Sequence, residues 1–398
     1  MKVLMACREY PPFVVGGVGT HTFQLVKYLR KIGVDVTVVS FGDPKLSTDN
    51  EIFLSPQSSL LEEARTTTPL YKDLLLVKDI KEIMSYTRKL LREQRYDIVH
   101  VQEPYIGGLI TYDKKVTTIH DTGIGEVIAI LKYSNPFSLQ VLKKSVFYLT
   151  LGYFMEYASI LTSKVIIVPS YSCKQELVNT YKVHPSKIVV IHNGIEVPSN
   201  IPSKEEARKI LGLPKGKVLV LTVGRHVTRK RIDLLIEAVY RLDKSVRDNI
   251  FVAIIGKGYE TPFLIHLTEK RCLSDVVKFL GSVPDEKLWL YYSASDIFAL
   301  TSDMESAPMV LLEAASMGNA IITSRTGDYA LMMKNGVDGL VFEPGDVNTR
   351  TRFLEELIID KNLRHTLARN ARLFASRFTA DKMTRKILRV YEKLIISR

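Results

Sequence analysis

The chain has 398 residues, 46% of them hydrophobic and 25% charged, with a net charge of +12. That length favours two domains, and the composition is that of a globular protein with apolar material for two cores, which sets aside a disordered or fibrous chain. The positive balance favours anionic partners such as phosphates, nucleic acid or acidic lipid.

The N-terminus runs straight into an apolar stretch, KVLMA (2–6), which reads as a strand and shows no secretory signal. Next comes CREYPPFVVGGVGTHTFQL (7–25), a glycine-rich loop that opens a helical pattern. Gly17, Gly19 and Thr22 give G-x-G-x-x-T about ten residues after the strand, so the dinucleotide fingerprint fails. Gly16, Gly17 and Gly19 still allow close backbone approach at a helix N-terminus, where an anion is favoured. Further apolar runs follow at 34–40, 96–102, 115–120, 164–170 and 187–192, then at 217–224, 250–256, 276–281, 296–300, 319–324 and 338–342. Continuous apolar runs separated by helical patterns indicate parallel strands covered on both faces, hence doubly wound α/β sheets.

Between runs, Ser172 with Gln175 reads as a capping box. Residues 145–162, SVFYLTLGYFMEYASILT, are interrupted by Glu156 and fall short of a membrane span, so they read as a mostly buried helix. The segment 193–206, with two prolines and several polar residues, reads as an interdomain linker. Leu234, Leu235, Ala238, Val239 and Leu242 form one stripe of a helix over 231–243. Met383, Ile387, Val390, Tyr391 and Leu394 share one face of the last helix, which therefore docks on something. Residues 361–398 hold eleven Lys/Arg and two acids, a local excess of +9. The three cysteines, Cys7, Cys173 and Cys272, have no CxxC or metal spacing and suggest a reduced, intracellular compartment.

Chemistry concentrates in the second half. VGRHVTRKRID (223–233) places Arg225 and Lys230 at a strand-to-helix turn, a fork and a compact charge suited to a diphosphate. GKGYE (256–260) is a second glycine turn. In TSDMESAPMVLLEAASMG (301–318), Glu305 opens a loop and Glu313 lies eight residues on, inside an apolar helix beginning near Pro308. A carboxylate among Leu311, Leu312, Ala314 and Ala315 needs donors: ribose hydroxyls would serve, and so would a protein group. His120 ends a strand and is either a structural histidine or a functional one. His21 and His192 read as helix surface and linker.

Taken together, GGVG (16–19), YDIVHVQ, TIHD (118–121), VPS (168–170), IHNGI (191–195), VGR with Lys230, GKG and the E-x7-E pair Glu305/Glu313 resemble the retaining "group 1" transferases of the GT4 family, nearly end to end. The resemblance implies the GT-B fold: a Rossmann-like acceptor-binding domain at 1–195 completed by a crossing-back helix at 379–398, a nucleotide-sugar-binding domain at 196–378, and a ligand cleft between facing sheets. It implies transfer of a sugar from a nucleotide diphosphate (a UDP-, GDP- or ADP-sugar as co-substrate, with no other cofactor) to an acceptor hydroxyl with retention. Arg225 and Lys230 would hold the diphosphate, and Glu313 the ribose. Glu305 would contact the donor sugar, helped by the backbone of Ser306, Ala307, Pro308 and Met309, in which all but the proline offer an amide N–H. His120 would reach that sugar, and Gly16/Gly17 would approach the phosphate or acceptor. Asp303-x-Glu305 is the nearest approach to a D-x-D, read as no metal site. The family commonly has glycine where this chain has Ser306 and Arg231; Arg231 would add charge near the diphosphate or face solvent.

Two further readings compete: a nucleotide-sugar 2-epimerase on the same plan, and a nucleic-acid binder, which lacks any recognised motif and is not adopted. Within the transferase reading the acceptor is a glycan or glycolipid. The basic tail and segment 137–162, flanked by Lys143 and Lys144, suit a peripheral contact with an anionic membrane from the cytoplasmic side.

Overall fold

The computed structural model describes residues 1–14, 16–57, 71–133, 146 and 148–396. Its contacts divide the chain into unit 1, Met1–Gly194 with Thr379–Arg398, and unit 2, Ile195–Phe378. The backbone therefore passes between units twice.

Unit 1 is built on seven strands: β1 (Lys2–Ala6), β2 (Asp35–Phe41), β3 (Glu51–Leu54), β4 (Ile98–Val101), β5 (Lys115–Thr118), β6 (Val165–Val168) and β7 (Ile188–Val190). They pair in parallel in the order β3-β2-β1-β4-β5-β6-β7. Central strands are buried throughout, because crossover helices cover both faces. Unit 2 repeats the plan with β8 (Val218–Val223), β9 (Ile250–Ile255), β10 (Val277–Gly281), β11 (Ile297–Leu300), β12 (Ala320–Ser324) and β13 (Leu340–Phe342), all parallel, in the order β10-β9-β8-β11-β12-β13. Two apolar clusters, one including Leu221, Phe298 and Leu311, the other Val220, Ile254 and Leu354, make up its core.

The last helix, Ala380–Ile396, belongs to unit 1. Met383, Ile387, Tyr391 and Leu394 are buried with Val3, Met5, Leu25 and Leu29, while Val390 packs at the margin. This is the docking that its apolar stripe anticipates.

Three expectations need correction. The edge strand β3 has no counterpart among the expected runs, since three apolar residues after a polar turn carry too little pattern. The cap of the Tyr171–Asn179 helix is Ser170, whose side chain accepts from the Cys173 amide, and not Ser172. In the stretch 145–162, the Tyr153–Thr162 helix buries Met155, Glu156, Ser159 and Ile160 but leaves Phe154 60% and Leu161 61% exposed, so it is not mostly buried. Lys143 and Lys144 lie outside the described residues. The basic tail is shared between the units: Lys361–Ala375 is a helix of unit 2, and Ala380–Ile396 is one of unit 1.

Candidate active site

In an open parallel sheet, the crevice lies beyond the strand carboxyl ends where the strand order reverses. In unit 2 that point falls between β8 and β11. The loop leaving β8 carries Arg225 and Lys230, and the loop leaving β11 carries Glu305 and residues 306–309. Topology thus brings together side chains 75 residues apart.

The centre is an ion pair. Lys230 Nζ donates to Glu305 Oε1 at 2.5 Å, and Ser302 Oγ donates to the same oxygen at 2.5 Å. Arg229 Nη1 stands 3.7 Å from the other oxygen and donates to the Met304 carbonyl at 3.0 Å. Burial lowers the Lys230 ammonium, Glu305 opposes this, and Arg229 and Arg225 press it further down. Burial alone would raise the Glu305 carboxyl, but Lys230 and Arg229 beside it, with hydrogen bonds from Lys230 and Ser302, hold it below the ordinary range. Arg225 is exposed and makes no ion pair among the described residues.

Glu313 lies in the second turn of the Met309–Ser316 helix, where its Oε2 accepts from the Tyr292 hydroxyl at 2.8 Å. Burial pushes its carboxyl up to about 7, with Tyr292 opposing and Asp285 adding. Its donor in the structure is a protein hydroxyl. Pro308 stands at the N-cap with no side-chain cap, so the first amides of this helix have no intrahelical acceptor. Ala307 and Met309 are anchored in the core below. Gly327, at φ +74°, supports this loop: a Cβ there would stand 2.9 Å from the Ser306 carbonyl oxygen.

The two glycine turns are fitted backbone to backbone. A Cβ on Gly256 would stand 1.9 Å from the Gly224 oxygen, and one on Gly258 2.2 Å from the His226 oxygen. GKG therefore holds the VGR turn in place. Arg231 occupies the left-handed region at φ +48°, which glycine enters without steric cost and arginine does not. Its guanidinium neither faces solvent alone nor adds free charge: it bonds Asp303 at 2.8 Å and Asp233 at 3.0 and 3.1 Å. Asp303 and Glu305 are thereby each spent on a cation. Among the described residues, no group of three or more His, Cys, Asp or Glu is arranged to hold a metal.

In unit 1 the reversal lies between β1 and β4. The Gly16 amide, at the N-cap of the Gly17–Lys31 helix, donates to Glu9 Oε2 at 2.8 Å. Arg8 bridges Glu9 at 2.8 Å and Glu103 at 3.2 Å, and both carboxylates are buried. The anion expected at this helix end is thus supplied by the chain itself, and a phosphate placed there would face Glu9. Gly16 and Gly17 remain exposed.

His120 sits two residues past β5, partly buried. Its Nε2 lies 3.4 Å from Gln102 Oε1, and its ring stands edge-on to His21 at 4.8 Å. His21 is 2% exposed, not on the helix surface as expected. Burial pushes His21 down to about 4 and His100 to about 3; His120 is driven well below its ordinary value by burial, then by His21 and His100. His192 packs against Tyr171, at 5.8 Å between ring centres. Arg229, Ser302 and Tyr292 were missed in the sequence. The one sequence signal for Arg229 is its adjacency to Lys230, and Tyr292 has no local signal, because it meets Glu313 across 21 residues.

The group 1 glycosyl transferase family model matches residues 203–374, and the glycosyltransferase family 4 model matches residues 15–197. An uncharacterised glycosyltransferase of Methanocaldococcus jannaschii, MJ1607, is 25% identical over 98% of both chains. In fold, the chain is similar to a sucrose-phosphate synthase from Thermosynechococcus elongatus, with a TM-score of 0.79 at 20% identity over all of both chains. It is also similar to Anabaena HepE, solved in complex with UDP-glucose, with a TM-score of 0.68 at 18% identity over 99% of this chain and 100% of that one. None of these matches supports an epimerase. With both halves matched and two parallel sheets of GT-B type, the chain belongs to the group 1 glycosyltransferases and is a transferase enzyme.

Proposed function

We propose that the protein is a retaining transferase that moves a sugar from a nucleotide diphosphate, held by residues 196–378, to an acceptor hydroxyl bound by residues 1–195 with the last helix. The observation that carries the reading is the Lys230–Glu305 pair at the switch point of unit 2, with the exposed Arg225 close by. A departing diphosphate gains negative charge, and cations already fixed beside it stabilise that charge without reorganisation. Arg225 supplies the fork and Lys230 the point charge, so departure is assisted without a metal ion. As Lys230 turns to phosphate, Glu305 is released to accept from hydroxyls of the sugar, alongside the amides that open the 309–316 helix. Glu313, oriented by Tyr292, accepts from the ribose. His120 stays neutral and offers a hydrogen bond to the sugar. Gly16 and Gly17 border the acceptor rather than the phosphate, because Glu9 occupies the helix end.

The acceptor is a saccharide or glycolipid hydroxyl, and the protein meets an anionic membrane peripherally from the cytoplasmic side. The last helix supports this by exposing Lys382, Arg385, Lys386, Arg389 and Lys393. Among the described residues, no helix is long and apolar enough to cross a membrane. Calorimetry with UDP-, GDP- and ADP-sugars tests the donor reading. One of them binds the native protein and loses affinity in Glu313→Ala; no binding by any of the three overturns it. Anomeric couplings of the product by NMR test retention.

A further inference from the structure

The Tyr153–Thr162 helix is apolar on two sides. One side faces the core through Met155 and Ile160. On the other, Phe154, Tyr157 and Leu161, at i, i+3 and i+7, are exposed by 60%, 38% and 61%. A helix wetted on one side ordinarily carries polar residues there. This stripe forms a wall of a surface groove of about 790 Å³, shared with Leu109 and with Arg88 and Arg92 of the Tyr71–Glu93 helix. Among the described residues that line the groove, the charged ones are those two arginines, with no carboxylate. Arg88 donates through Nε and Nη2 to the Leu109 carbonyl, which fixes its guanidinium at the rim. Arg92, Tyr112 and Thr162 precede β4, β5 and β6, so the groove lies at the amino ends of the strands, opposite the end that bears His120 and Gly16.

An apolar trough with a cationic rim matches a molecule that is apolar along its length and anionic at its head. We propose that this face docks on a bilayer containing anionic phospholipid. Phe154, Tyr157, Leu161 and Leu109 enter the boundary between headgroups and acyl chains, and Arg88 and Arg92 pair with the lipid phosphates. The inference rests on the peripheral-membrane reading above and assigns its surface; it does not depend on the transfer reaction.

The test is flotation of the full-length protein with vesicles of phosphatidylcholine alone or mixed with phosphatidylglycerol. The native protein floats with the mixed vesicles only. Phe154→Ser/Leu161→Ser and Arg88→Glu/Arg92→Glu each lower partitioning by roughly tenfold or more, while thermal unfolding and donor affinity stay native. The proposal is overturned if the native protein does not float or if both double variants float as well as native. It is equally overturned if only Lys382→Glu/Lys386→Glu/Lys393→Glu abolishes flotation, which puts the contact on the last helix. Light scattering that shows a dimer dissolved by Phe154→Ser/Leu161→Ser also overturns it, since a second copy then covers the stripe. Flotation without donor binding would leave this surface standing and remove the transfer reading instead.

Discussion

At the scale of single residues, one lysine carries most of the proposed chemistry. Lys230→Ala removes the fixed charge and leaves Glu305 buried with only Arg229 and Ser302, so turnover should fall by about 10²–10³-fold, read from initial rates at saturating donor. EDTA should leave native turnover unchanged, because Arg225 and Lys230 supply the positive charge. Glu313 should impose a pH dependence. Its carboxyl is raised to about 7 by burial, and the ionised form accepts from ribose. Donor affinity should therefore weaken as pH falls below about 7, and calorimetry at several pH values should find that dependence gone in Glu313→Gln. At Arg231 the backbone sits at φ +48°. Arg231→Gly and Arg231→Ala lose the same ion pairs, but alanine keeps the left-handed strain, so the glycine variant should be more stable by about 1 kcal/mol in urea titration. The E-x7-E spacing and the Arg and Lys upstream were legible as residues. Tyr292 was not, because it meets Glu313 across 21 residues, and Glu9 was not, because only the folded loop turns its carboxylate back onto the Gly16 amide.

Among elements, legibility followed burial. Strands buried on both faces, such as IVHV and AIITS, stand out as continuous apolar runs. The edge strand β3 does not, having one open side and four residues. The Tyr153–Thr162 helix misled in another way. Its composition signals burial, but composition does not say how many sides have a partner, and Phe154 and Leu161 are exposed. Its inner side carries Glu156, which accepts from the Gly123 amide at 3.0 Å and from the Tyr181 hydroxyl. Burial raises this carboxyl to about 7, against those two bonds. A carboxyl that holds its proton longer when folded makes the native state the better proton binder between its ordinary range and about 7, so its contribution to stability declines as pH rises through that window. Glu156→Gln removes the burden. Its melting temperature should exceed that of the native protein at pH 8, corresponding to about 2–3 kcal/mol, and the gap should close near pH 5.

For the whole molecule, the doubly wound plan could be read because apolar runs alternate with helices throughout. The backbone returns to unit 1 at Thr379 and divides the charge of the basic tail between the units. Unit 2 is continuous, Ile195–Phe378, and holds Arg225, Lys230, Glu305 and Glu313. A fragment of 195–378 should fold alone, giving a cooperative melt and donor affinity within about tenfold of the intact protein if the base, ribose and diphosphate contacts carry the binding. A fragment of 1–194 should instead aggregate until a 379–398 peptide is supplied. The same discontinuity sets an order on biosynthesis. About 200 codons separate the first lobe from the helix that seals it, which at ~5–20 residues per second is roughly 10–40 s on the ribosome. Through that interval the nascent first lobe shows the greasy seam around Leu25 and Leu29 to solvent, a target for chaperones. A stop codon at 379 would leave every proposed donor-contacting residue translated and the protein still unable to mature.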